Sequence, residues 1–238
     1  MAAETNYTEL TPARINVGRC GTRPLTSSWL KFRSDHARAR DAVQSHLSRE
    51  FIESMEQNHG CRQVQSICES RSEFVCVPPR GKICSRETLE KLTENCSRNI
   101  DVQIVISDGL SAKAVEKNLP DLLLILQDGL RLENYSYGTP VIVQYGRVAI
   151  ADQIAEALNA KLVINLIGER PGLSTAESLS AYITFNPGKN TISSDRTVVS
   201  NIHKGGTPAL EAGAYIVQLI KRIFKLKKSG VKLQQAEH

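Results

Sequence analysis

The stretch LVINLIGERPGLSTAESLSAY, residues 162–182, runs almost wholly apolar residues straight into a Gly-Glu-Arg-Pro-Gly turn. An apolar run of that length, bounded by Gly and Pro, reads as a strand covered on both faces, and a second strand opens at Tyr182 and runs to Phe185. The turn between them needs its glycines and its proline. It does not need Glu169 or Arg170, and a carboxylate and a guanidinium on the lip of a buried strand mark a binding edge.

Working outward, Val102 to Ile106 and Val141 to Tyr145 are further apolar strands. Helical patterns lie between the strands. One covers Ser111 to Leu130, interrupted near Pro120, and the next covers Ala149 to Leu158, where Ile150, Ile154 and Leu158 face away from Asp152 and Glu156. The last helix spans about Pro208 to Lys228, with Thr207 as its N-cap and Gly230 beyond its end. Its stripe of Leu210, Ala214, Val217, Ile220 and Phe224 docks on a sheet. The first hundred residues differ in texture, with two helices over residues 28–58, a short strand at 74–77 and a helix over 85–97. The expected fold is therefore α/β: a doubly wound, mostly parallel sheet of Rossmann or flavodoxin-like type over residues 101–238, with a mainly helical N-terminal extension over residues 1–100.

Composition narrows the function. With 238 residues, 41% of them hydrophobic and 23% charged, the chain buries an ordinary core. No apolar run approaches the roughly 18 residues of a membrane helix, and Met1-Ala-Ala-Glu-Thr does not resemble a secretory signal, so a cytoplasmic protein with no membrane partner is expected. The net charge of +5 is modest and its basic residues are dispersed, which argues against nucleic acid. All six cysteines fall within the first 96 residues with no CxxC pair, favouring reduced thiols over a zinc site.

Five small polar turns gather at the expected carboxyl edge of the sheet: Ser107–Ser111, Gly146–Val148, Gly168–Gly172, Asp195–Val198 and Asn201–Pro208. Turn geometry alone does not call for Arg147, Glu169, Arg170 and Arg196 there. Dinucleotide and P-loop glycine patterns are absent, and Gly109-Leu110-Ser111-Ala112-Lys113 is not a nucleophile elbow, so Ser111 is a helix N-cap. His203 stands without a matched nucleophile or carboxylate and reads as a turn residue. Lys204 and Gly205-Gly206-Thr207, ahead of the last helix, suit an anion, which leaves an independent nucleotide- or phosphate-binding module as the alternative. The residues describe a ligand-binding module with no internal catalytic set and no metal site.

VQIVISDGLS, VQYGRVAIADQI, GERPGLSTAESLS and DRTVVSNIHKGGTP, in this order and preceded by ARINVGRCGTRPLTSSWLKFRSDHARARDAV, resemble the small subunit of ethanolamine ammonia-lyase over nearly the whole chain. The resemblance implies an adenosylcobalamin-dependent enzyme that converts ethanolamine into acetaldehyde and ammonia. It also implies a hetero-oligomer in which a large subunit carries the substrate groups, with cobalamin at the joint. It assigns cobalamin contacts to Val148, Glu169 and Val198, where Val198 stands in place of the family's cysteine and keeps only a main-chain or van der Waals contact. Asn201 to Gly206 has the spacing of the histidine motif that ligates cobalt, but the family keeps the cofactor's own base there, so His203 is not read as a ligand. Members often reside in bacterial microcompartments; residues 1–14 here are short and polar, which leaves that address open.

Overall fold

The computed structural model describes residue 15 and residues 17–236; residues 1–14, which bear on the microcompartment address, lie outside the described residues. The chain begins with a small ribbon, β1 (Arg19–Cys20) and β2 (Arg23–Pro24), followed by α1 (Thr26–Gln44), α2 (Arg49–His59), β3 (Arg62–Gln65), α3 (Arg71–Cys76) and α4 (Arg86–Asn95). It continues with β4 (Val102–Ser107), α5 (Ala112–Leu132), β5 (Val141–Gln144), α6 (Ile150–Ala157), β6 (Leu162–Gly168), β7 (Leu179–Phe185), β8 (Arg196–Ile202), α7 (Ala209–Leu226) and α8 (Val231–Gln235).

Strands β3 to β8 form one sheet in the order β3-β5-β4-β6-β7-β8. The first four run parallel, whereas β7 and β8 each pair antiparallel with the strand before them. Helices α5 and α7 bury the leucine and isoleucine side chains of one face, and α4 and α6 cover β5, β4 and the start of β6 on the other. The expected α/β class with a mostly parallel, doubly wound sheet is what the chain adopts. Because α5 leaves β4 toward one face and α6 leaves β5 toward the other, the switch point of the winding lies between β4 and β5.

On α7 the docking stripe runs through Ala212, Ile216, Leu219 and Ile223 beside Val217 and Ile220, whereas Leu210 and Ala214 are exposed; four expectations about the elements also change. Residues 74–77 are not a strand: Phe74 to Cys76 belong to α3, because the Ser70 side chain accepts from Glu73 N and caps a helix over an apolar run too short to show a period. Pro120 does not interrupt α5, since Leu119, Leu122, Leu123 and Leu126 on either side of it are wholly buried and that burial exceeds the roughly 3 kcal/mol cost of an internal proline. Pro208, not Thr207, occupies the cap position of α7, without a side-chain cap bond. Residues 196–198 are not a turn but the start of β8, an edge strand too exposed to show an apolar run. The edge strand β3 went unread for the same reason.

The switch-point crevice is filled from within. Asp108, 1% exposed at the end of β4, accepts Gly146 N–H at 3.0 Å and pairs with the Arg71 guanidinium at 3.1 Å; Arg71, itself 5% exposed, also donates to Val43 O at 2.6 Å. Burial pushes the Asp108 carboxyl up to about 6 against the pull of Arg71 and the surrounding amides, and burial likewise lowers Arg71. A buried pair tolerates loss of one partner badly, so Arg71→Met is expected to cost about 3–5 kcal/mol in urea unfolding at pH 7. The unfolded carboxyl ionises near 4 and the folded one near 6, so folding loses stability as pH rises through that window. Asp108→Asn is expected to flatten that slope, and a mutant profile parallel to wild type would contradict the assignment.

Candidate functional site

Beyond α6 the same face of the sheet is buried along β6 and at Ser180 and Thr184 of β7, and it opens at Tyr182 and Val198. Across β4, β6, β7 and β8 the register aligns Val105, Asn165, Tyr182 and Val198 in one row. Val105 lies beneath α6, while Val198 at the far end is 47% exposed.

Asn165 is the polar interruption in the apolar run of β6 and is only 1% exposed. Its Oδ1 accepts from Ser107 Oγ at 3.0 Å and its Nδ2 donates to Val148 O at 3.1 Å, so a buried amide holds the Gly-Arg-Val turn against the sheet. Tyr182, its neighbour across the ladder, donates its hydroxyl to Glu169 Oε1 at 2.9 Å. Burial, then the Glu169 charge and this hydrogen bond, push the Tyr182 hydroxyl up to about 12, so it remains a donor at any physiological pH. Val198 is Tyr182's partner on β8. Val148, Glu169 and Val198, 50 residues apart at the extremes, are thus gathered by two side chains that sequence reasoning passed over. A signal for one of them existed: an amide inside LVINLI costs too much to bury without a partner.

Gly168 fixes where Glu169 begins. A Cβ at Gly168 would lie 2.0 Å from Ser111 O, and Leu110 N donates to Gly168 O at 2.9 Å, so the loops after β4 and β6 touch backbone to backbone. Glu169 N in turn donates to Ser178 O at 3.0 Å, closing the base of the Arg-Pro-Gly loop. Among the described residues no ion pair joins Glu169 to Arg170, whose side chain is exposed.

The other charged turn residues have structural partners. Arg147 donates to Phe74 O at 2.9 Å with its guanidinium 4.2 Å from the Phe74 ring centroid, tying α3 to the sheet edge. Arg196 forms a buried ion pair with Asp152 of α6. Ser111 caps α5, accepting from Ala114 N at 3.2 Å. His203 Nδ1 accepts from Gly205 N at 3.1 Å, which leaves Nε2 to donate to Asn201 Oδ1 at 2.8 Å; both ring nitrogens are occupied by the turn. The amides of Gly206 and Thr207 go to His203 O and Asn201 O at 2.9 Å each. With Gly205, Gly206 and Thr207 all donating within the loop, the anion cradle of the alternative reading lacks its donors.

Among the described residues no three His, Cys, Asp or Glu side chains gather as a metal site, and the six cysteines are unpaired. Cys61 and Cys84 are buried, and burial raises both thiols to about 12, which makes them inert packing groups. No helix among the described residues is long and apolar enough to cross a membrane. A cavity of about 650 Å³ opens at the other end of the strands, by Phe185, Lys189 and Lys227, far from Glu169; Lys227 and Lys228 there complement the C-terminus of α7.

A family model described as ethanolamine ammonia-lyase light chain matches residues 2–234. The chain is 46% identical to the ethanolamine ammonia-lyase small subunit of Clostridium acetobutylicum over 225 residues, covering 94% of this chain and 91% of that protein. It is 48% identical to the small subunit of Clostridium tetani, covering 94% of this chain and 74% of the other, and 42% identical to that of Fusobacterium nucleatum, covering 96% and 76%.

Asn165→Leu tests the organisation of this face. Leucine suits a buried strand better than asparagine does, yet it strands the Ser107 hydroxyl and the Val148 carbonyl, so a loss of about 1–3 kcal/mol in unfolding free energy is expected. A neutral or stabilising leucine would show that the amide does not hold the turn.

Proposed function

Because the chain belongs to the ethanolamine ammonia-lyase light-chain family, we propose that it forms one wall of an adenosylcobalamin site whose other wall, with every group that handles substrate, lies on a larger partner subunit. The chain is a subunit of that lyase. What supports the finer division is that Asn165 holds the Val148 turn while its ladder neighbour Tyr182 holds Glu169 and pairs with Val198, with no metal cluster among the described residues. In this division the cofactor contacts fall within residues 101–238, while the segment before residue 101 supplies the edge strand β3 and helices packed on the sheet. By the same family likeness, the complex works in the cytoplasm, within a bacterial microcompartment.

The residues fit the group. A corrin ring is broad, flat and fringed with amides. An exposed valine offers it apolar contact, and a carboxylate held by Tyr182 offers acceptor oxygens to its amide and hydroxyl donors. When bound, the cofactor supplies the radical chemistry of its cobalt–carbon bond. This chain's part is to bind, orient and exclude water: Tyr182 aims the Glu169 carboxylate, Asn165 fixes the Val148 turn, and Gly168 keeps the loop bearing Glu169 close to its neighbour.

Size-selected complexes with the large subunit, titrated with adenosylcobalamin, test the reading. Removing the acceptor strands its cofactor donors, so Glu169→Ala is expected to weaken binding about ten- to a hundredfold, Glu169→Gln less, with turnover at saturating cofactor little changed. An unchanged dissociation constant for Glu169→Ala would remove Glu169 from the site. Val198→Cys is roughly volume-conserving and is expected to change affinity by less than about threefold. The chain alone is expected to release no ammonia from ethanolamine and cofactor, and any such release would defeat the division of labour.

A further inference from the structure

From residue 17 to residue 34 the chain lies outside the molecule's own core. Every side chain in this span is exposed except Ser28, which is half-buried. The span comprises β1, β2 and the first half of α1, and it carries large apolar groups in water: Trp29 is 49% exposed and Leu30 60%, with Leu25 and Val17 also exposed. The Trp29 and Phe32 rings stack at 5.7 Å between centroids, one helical turn apart. Neither element is stable by itself. A ribbon of two-residue strands has no face to bury, and Leu25 at the N-cap of α1 gives that helix no side-chain cap.

We propose that this arm is the segment by which the chain docks on its larger partner subunit, in an apolar groove rimmed by carboxylates. The proposal rests on the large-subunit reading above and adds where the joint is made. Three observations choose the occupant. Residues 17–34 carry Arg19, Arg23, Lys31 and Arg33 and no acidic residue, so the complementary surface is acidic at its rim; two arms from two copies of this chain would instead oppose cation to cation. Eighteen residues approach the roughly 20–30 that one side of a standard interface supplies, so the arm alone forms most of a stable joint. Its root is continuous with the candidate site. The second half of α1 is anchored by Arg71 donating to Val43 O, and its Asp35, Arg38 and Asp41 line one small cavity with residues 172–177, the loop that leads away from Glu169.

The experiment uses the full chain. Wild type and a Trp29→Glu/Leu30→Glu double variant are each titrated with the purified large subunit, with the unfolding midpoint of the uncomplexed chains measured alongside. Wild type is expected to bind; the variant is expected to bind at least about thirtyfold more weakly with its own unfolding midpoint unchanged, since a buried aromatic anchor is lost while the core is untouched. Hydrogen exchange on wild type gives an independent reading: the amides of residues 17–34 are expected to slow on adding the large subunit. A variant that binds as wild type does, or wild-type amides that stay unprotected in a complex that forms, overturns the arm while leaving the proposed function standing. A wild-type chain that forms no complex at all defeats both. Self-association of wild type that the double variant abolishes would give the arm to a second copy and overturn the proposed occupant.

Discussion

The ion pair between Arg71 and Asp108 closes the crevice in which a doubly wound sheet ordinarily receives its ligand. It sits where β4 and β5 send their helices to opposite faces, and both charges are almost fully buried there. Burial opposes the ionised form of each partner, raising the Asp108 carboxyl and lowering Arg71, so the pair adds little net stability. It fastens the N-terminal helices across the mouth of the sheet: Arg71 belongs to α3 and reaches Val43 at the end of α1, while Arg147 grips Phe74 from the β5 side. The proposed binding surface lies elsewhere.

The antiparallel return of β7 and β8 supplies it. A fifth and sixth parallel strand would each have brought a crossover helix to cover the sheet. A hairpin brings none, and the face beyond α6 opens at Tyr182 and Val198. What keeps this opening from becoming an aggregation edge is polar: Tyr182 and Glu169 border it, and Arg196 pairs with Asp152 beside them.

How much of this the sequence disclosed follows the physics of each element. Strands β4, β5 and β6 were legible because burial on both faces writes a continuous apolar run, and the helices because their apolar residues recur at helical spacing. Edge strands β3 and β8 are half-exposed and carry arginine, glutamine, serine and asparagine, so no pattern distinguished them from loops. The phenylalanine-valine run of α3 was too short for a period, and a serine cap decided it. Glu169 was visible as a charge that no turn requires. Its dependence on Tyr182 was not, since residues 13 apart in sequence meet only once β7 folds back on β6. For Arg147 and Arg196 the same reasoning pointed to a ligand, and each found a partner within the chain instead.

The openness of the face also sets what the subunit does alone. A hydrogen bond to a half-exposed carboxylate exchanges one partner for water and nets only about 0.5–1.5 kcal/mol, and a valine half in solvent gains little from one flat contact. Excluding water from the opposite side changes both terms, because the carboxylate then acts in a lower dielectric and the apolar contact is buried in full. Ligand affinity and subunit association are therefore coupled through the same surface: in the proposed joint each raises the other by the same factor, as linkage requires. A chain that presents half a pocket gains its affinity only when the second wall arrives, which makes the docking segment as much a part of cofactor binding as the carboxylate itself.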